Sequence, residues 1–129
     1  MFVSQLEINM KTTEKLTQKE EEVMRVLWDL GKAFVKDINA KLEKDYHYNT
    51  VSTIIRNLED KQYVGHEAFG NTHQYFPLVD QDDYQREVLS QTTQKFFKGS
   101  YKDLVSFFAK DEKISEKDLE DILKIIKNQ

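Results

Sequence analysis

Residues Tyr48 to Glu67 read YNTVSTIIRNLEDKQYVGHE, and the reading of this stretch decides the fold. Val51, Ile54, Ile55 and Leu58 recur at the spacing of one helix face. Opposite them stand Asn49, Thr50, Ser52, Thr53, Arg56 and Asn57. A solvated helix face is ordinarily built from Lys and Glu. Ser, Thr and Asn are poorer helix formers, because their side chains compete for nearby backbone groups. At about 100° per residue, Asn49, Thr53, Arg56 and Asn57 point most nearly away from the apolar face, with Thr50 and Ser52 on its flanks. After Lys61 the period becomes that of strands: YVGHEAF and HQYFPL are β-rich runs joined by GNT, a hairpin signal. Pro77 fits only at the end or edge of the second run.

Upstream, TQKE at Thr17–Glu20 is a capping box, in which the Thr17 hydroxyl takes the Glu20 amide while the Glu20 side chain reaches back. Val23, Leu27 and Leu30 then form a stripe widened by Met24 and Trp28, and Gly31 supplies a left-handed stop. A second short helix is expected from about Val35 to Lys44, with Ile38 and Leu42 inward. DYHYN breaks it, and a third begins near Asn49. Three short helices followed by a β-hairpin make a winged helix-turn-helix, here assigned to residues 17–79. Residues 1–16 have no clear period and are expected to be a frayed N-terminal extension.

From Asp80 the pattern is helical again. Tyr84, Val88 and Leu89 begin one helix that ends at Phe96 and Phe97 before Gly99; Leu104, Val105 and Phe108 mark a second; Ser115 caps a third. Short amphipathic helices of this kind, about fifty residues in all, bury their own apolar faces poorly. Residues 80–129 are therefore expected to be a helical dimerisation domain. Val88, Phe96, Phe97, Leu104, Phe108, Leu119, Ile122, Leu123 and Ile126 would meet a second copy of the chain. The aromatic group Phe96, Phe97, Tyr101, Phe107 and Phe108 reads as core or subunit interface before it reads as a ligand pocket. The fold class is thus mainly α with a small β-hairpin wing (α+β): a winged helix-turn-helix domain plus a C-terminal helical module.

In a helix-turn-helix the second helix of the motif lies in the DNA major groove. Side chains there must be short enough for close approach and able to hydrogen-bond base edges or phosphates. Asn49, Thr50, Ser52, Thr53, Arg56 and Asn57 are accordingly the candidate groove-facing residues, with Lys61, Asn71 and Thr72 as candidate phosphate contacts. The charge balance pulls the other way. The 129 residues carry 19 basic and 23 acidic side chains, a formal net charge of −4. Residues 1–79 hold 10 of the basic and 12 of the acidic ones. A basic footprint is the usual electrostatic sign of DNA binding, so a local concentration of positive charge would have to stand in for it. The same balance keeps open an alternative, a winged-helix protein-interaction module without DNA binding. The polar face argues against that alternative, since a protein-binding face would gain apolar residues.

Other classes find little support. There are no cysteines, so disulfides and thiolate chemistry are excluded. No apolar run approaches the ~20 residues that span a bilayer, and the N-terminus lacks the build of a secretory signal. A cytoplasmic protein without membrane insertion is expected. No nucleophile triad, phosphate loop or paired carboxylate stands out, so neither an enzyme nor a cofactor is expected. Of the three histidines, His66 and His73 lie on the two wing strands and can face each other across the hairpin. A two-His metal site would want a carboxylate, and Glu67 points to the opposite strand face. No metal is expected.

LTQKEEEVMRVLWDLG, TVSTIIRNLEDKQYV and NTHQYFPLV, in that order and spacing, resemble the penicillinase-repressor (BlaI/MecI) family over about Leu16 to Lys127. The tail GSYKDLVSFFAKDEKISEKDLEDI resembles the family's dimerisation region. The resemblance implies a homodimeric repressor on a two-fold symmetric operator. It implies relief by proteolysis in the dimerisation region, triggered by a membrane-embedded sensor metalloprotease. Several positions depart from the family pattern. Asn57 stands where an Arg is common in the recognition helix, Gln62 where a Gly usually follows it, and Gly70-Asn71 where Gly-Arg is frequent at the wing tip. The scissile Asn-Phe pair falls on Phe107-Phe108, and the paired cysteines of a copper-responsive branch are absent.

Overall fold

A computed structural model of the chain describes residues 15–129. Helix α1 (Gln18–Leu30) begins at the capping box: the Glu20 amide donates to Thr17 Oγ1 at 3.2 Å and the Thr17 amide to Glu20 Oε1 at 2.8 Å. It ends where Gly31, at φ 80°, donates its amide to the Leu27 carbonyl. There follow strand β1 (Ala33–Phe34), α2 (Val35–Lys41), α3 (Tyr48–Asp60), β2 (Val64–Phe69), β3 (Thr72–Pro77), α4 (Gln81–Phe97), α5 (Tyr101–Lys110) and α6 (Glu116–Lys127).

Three details differ from the sequence reading. Helix α2 stops at Lys41 instead of running to Lys44, because Leu42 turns to an extended backbone at φ −68°, ψ 138°. The wing is a three-stranded antiparallel sheet in the order β1-β3-β2, with β1 pairing Ala33 to Tyr75 and Phe34 to Gln74. Two residues carry too little periodicity to announce a strand. The hairpin turn is the pair Gly70-Asn71, with Thr72 already paired to Phe69. Pro77 sits opposite Val64 at the last register position of its strand, where a missing amide costs nothing to the ladder. Of the expected extension 1–16, only Lys15 and Leu16 lie within the described residues, and Leu16 is buried.

The chain forms two compact units, one ending at Glu87 and the other comprising Val88–Gln129. The first holds a core of Val23, Met24 and Leu27 from α1, Ile38 from α2, Val51, Ile55 and Leu58 from α3, and Tyr63 and Val64 beyond it, each fully buried. Burying an aliphatic side chain of this size contributes roughly 1.5–3 kcal/mol. The chain leaving the wing is pinned to the same core. Trp28 Nε1 donates to the Val79 carbonyl at 2.8 Å, and the Tyr84 hydroxyl donates to Glu21 Oε2 at 3.0 Å. The Tyr84 ring lies 5.7 Å from Trp28 and edge-on to Tyr63 at 6.0 Å. Burial above all, with Glu21 beside it, pushes the Tyr84 phenol far above the usual tyrosine range.

The second unit is built differently. Thr93 is the single buried residue described from Val88 onward. Phe96, Phe107, Phe108, Leu119, Ile122, Leu123, Ile125 and Ile126 are all exposed in the isolated chain. Among the described residues, no helix is long and apolar enough to cross a membrane.

Candidate nucleic-acid interface

The position of α3 is set at both ends. At its start, His47 Nδ1 accepts the Asn49 amide at 3.1 Å. The loop before it is tied to α1 through Glu22, which accepts from the Tyr46 hydroxyl at 2.9 Å and from Lys44 Nζ at 3.2 Å. The Tyr46 hydrogen bond, ahead of Lys44, holds the Glu22 carboxyl below its ordinary value. At the exit, the Gln62 amide donates to the Glu59 carbonyl and the Tyr63 amide to the Leu58 carbonyl, both at 2.9 Å. This is the paired bonding of a Schellman motif. It places Gln62 at φ 66°, in the left-handed region that favours glycine.

Between these ends α3 presents the two faces its sequence describes. Val51, Ile54, Ile55 and Leu58 are buried. Asn49, Thr53, Arg56 and Asn57 are exposed, and Thr50 and Ser52 lie half-buried at the flanks. Thr53 Oγ1 donates to the Asn49 carbonyl at 3.0 Å, and Arg56 Nε to the Ser52 carbonyl at 3.3 Å. The second bond occupies one of the five guanidinium N–H donors.

Helix α3 and the wing flank an open groove of about 510 Å³. Its lining includes Ser52, Arg56, Asn71 and Thr72 from the expected set, joined by Lys36, Tyr48 and His73. Among the described residues, Lys36 and Arg56 are its cations, and no acidic side chain lines it. This is the local positive surface that the net charge conceals. Lys36 gave no signal in the sequence because a lone Lys reads as solvated helix, and Tyr48 because it stands at the helix start. At the wing tip Gly70 turns at φ 62°, and Thr72 Oγ1 donates to the Phe69 carbonyl at 2.9 Å.

Lys61 is placed elsewhere. Its Nζ lies 2.8 Å from Glu20 Oε1, with 23% and 5% of the two side chains accessible. The ammonium thus closes the α1 capping box from the end of α3. Burial works to raise the Glu20 carboxyl, but the Lys61 hydrogen bond and the Thr17 amide outweigh it and leave it below its ordinary value. Of the residues expected at a dimer interface, Phe96, Phe108, Leu119, Ile122, Leu123 and Ile126 are exposed, while Val88, Phe97 and Leu104 are half-buried. Phe107 packs edge-on against both Phe97 and Phe108, at 5.8 and 5.7 Å.

A helix of hydrogen-bonding side chains over a buried apolar face, flanked by a sheet wing and a cationic groove, defines a winged helix-turn-helix protein. The family model of the penicillinase repressor matches residues 16–128. The chain belongs to the penicillinase repressor family. It is 26% identical over 116 residues to the methicillin resistance regulatory protein MecI of Staphylococcus aureus strain N315, covering 88% of this chain and 94% of that one. It is 23% identical over 119 residues to the penicillinase repressor of Bacillus licheniformis, covering 91% and 93% of the two chains. The solution structure of the DNA binding domain of the repressor BlaI aligns with a TM-score of 0.49 at 25% identity, over 54% of this chain and 88% of that one.

Proposed function

We propose that this chain is a homodimeric transcriptional repressor that binds a two-fold symmetric operator, with α3 as the recognition helix. The observation that carries the reading is the exposed face of Asn49, Thr53, Arg56 and Asn57 over a buried apolar face, opening onto a groove whose charged lining is Lys36 and Arg56. Asn49, Thr50, Ser52, Thr53, Arg56 and Asn57 face the bases. Asn71 and Thr72 at the wing, with Lys36 at the groove, take the flanking phosphates. Lys61 acts one step back, fixing the end of α3 through Glu20.

The uncovered apolar residues of the second unit support the dimer, since they give a second copy of the chain a surface to bury. Two recognition helices then enter successive major grooves about 34–36 Å apart. Membership of the family supports repression as the outcome, and a cut in the dimerisation region by a sensor-triggered protease as its relief.

The test is fluorescence anisotropy of the full chain on the DNA upstream of its own gene and on scrambled DNA, across salt concentrations. Preferential binding that weakens as salt rises is the expected result. Equal affinity for both DNAs at every salt concentration, repeated across fragments of the whole genome, overturns the reading.

A further inference from the structure

The two wing histidines form a cluster that the recognition face alone does not require. His66 Nδ1 is hydrogen-bonded to Glu59 Oε2, which joins β2 to the last turn of α3. The His66 and His73 rings are stacked almost parallel, at 4° and 4.1 Å between centroids. Both lie against Tyr75, at 5.7 and 6.1 Å. Tyr75 is buried and pairs with Ala33 of β1, so it is a fixed backing for the stack. His73 is exposed and lines the groove with Arg56 and Lys36. The charged and titratable groups facing this cluster are Glu59, Arg56 and Tyr48 from α3, Lys36 from α2, and Tyr75 from β3. Glu67, next to His66 on β2, points to the opposite face of the sheet.

Imidazole is the side chain whose charge ordinarily changes between pH 5 and about 8. Glu59 and Tyr75 fix the His66 ring, and the His73 ring stacked on it is left facing the groove. A phosphodiester there brings its negative charge to the His73 side, where the charged residues of the lining are Lys36 and Arg56.

We propose that His73 is a proton-dependent phosphate contact: DNA entering the groove draws a proton onto the His66–His73 stack, so that binding tightens as pH falls. The inference rests on the DNA-binding reading above. The ligand chemistry is a backbone phosphate, and Glu59 is a positioning residue that holds the stack against the end of the recognition helix. Binding and proton uptake are two sides of one equilibrium. Uptake approaching one proton per cluster steepens affinity towards tenfold per pH unit, and each added phosphate contact steepens the salt dependence by about 0.9 in log–log slope.

The experiment measures affinity of the full chain for its upstream DNA from about pH 8 to 6 at fixed ionic strength. Salt slopes are taken at both ends. Calorimetric titration in two buffers of different ionisation enthalpy counts the protons. Affinity at least tenfold tighter at the acid end, with a steeper salt slope and net proton uptake, is the expected result. His73→Gln removes that gain, Glu59→Gln displaces it to lower pH, and Glu67→Gln, on the opposite face of the sheet, retains it. Specific binding with a flat profile, or a profile unchanged by His73→Gln, overturns the inference and leaves the DNA-binding reading standing. Absence of specific binding at every pH overturns both.

Discussion

At the scale of single residues, four positions carry three distinct expectations. Arg56 and Thr53 sit on the exposed face of α3 and contribute nothing to its buried face. Replacing either by Ala is expected to weaken specific operator binding by about 1–3 kcal/mol if it reads a base, with the thermal midpoint barely moved. Anisotropy and calorimetry on the same samples separate the two effects. Lys61 gives the opposite pattern. Lys61→Met leaves the Glu20 carboxylate buried and without its cation. It should cost about 2 kcal/mol of stability, below the range for fully buried pairs because Lys61 retains some access to water. The salt slope of DNA binding should not change, as it would if Lys61 touched a phosphate. Gln62 is the third. A side chain in the left-handed region costs about 1 kcal/mol or more, which glycine avoids while giving back part in unfolded-chain entropy. Gln62→Gly relieves that backbone cost and also removes what the Gln62 side chain holds, so a raised thermal midpoint would show that the strain outweighs the side chain's interaction and a lowered one the reverse.

At the scale of elements, legibility follows the length of the repeating pattern. Helices α1, α3 and α6 were readable because each repeats its apolar spacing over several turns and opens on a recognisable cap, Thr17, His47 and Ser115 respectively, although only Thr17 and Ser115 announce themselves by residue type. Strand β1 was not readable, being two residues defined only by what it pairs with. The end of α2 was missed because Leu42 continues the apolar spacing while its backbone has already left the helix. The polar face of α3 could be counted off the sequence, but the groove could not. Lys36, Tyr48 and His73 come from three different elements, and only the β1–β3 pairing and the docking of α3 against the sheet bring them together. The α1 capping box leads to a further prediction. Because the folded state holds Glu20 below its ordinary value of 4.5, its contribution is complete above that value and is lost as pH falls below it, through the lowered folded-state value. Glu20→Gln should therefore be less stable than the parent at neutral pH and approach it as the pH is taken well below 4.5, as thermal melts across that range would show.

At the scale of the whole molecule, the two units divide the labour unequally. The first closes a core of its own, whereas the second leaves most of its apolar side chains uncovered. A chain ending at Phe107 lacks α6 and the end of α5, and with them Phe108, Leu119, Ile122, Leu123 and Ile126. Sedimentation should find it as a monomer where the intact protein is expected to be a dimer, and a dimer of the shortened chain would show that these residues are not the interface.

Tyr84 has a consequence that reaches beyond packing. Held by Glu21, Trp28 and Tyr63, it makes the first turns of α4 part of the winged unit, so the boundary between the units falls inside a continuous helix. If the chain is the dimeric operator binder proposed above, a cut far downstream leaves the winged unit folded. Its product is then an intact monovalent reader, not a denatured fragment. Such a cut would remove the tether that gives a second half-site its high effective concentration, an expected loss of about 10²–10⁴ in avidity with every base contact still in place. Induction would then be a change in valency.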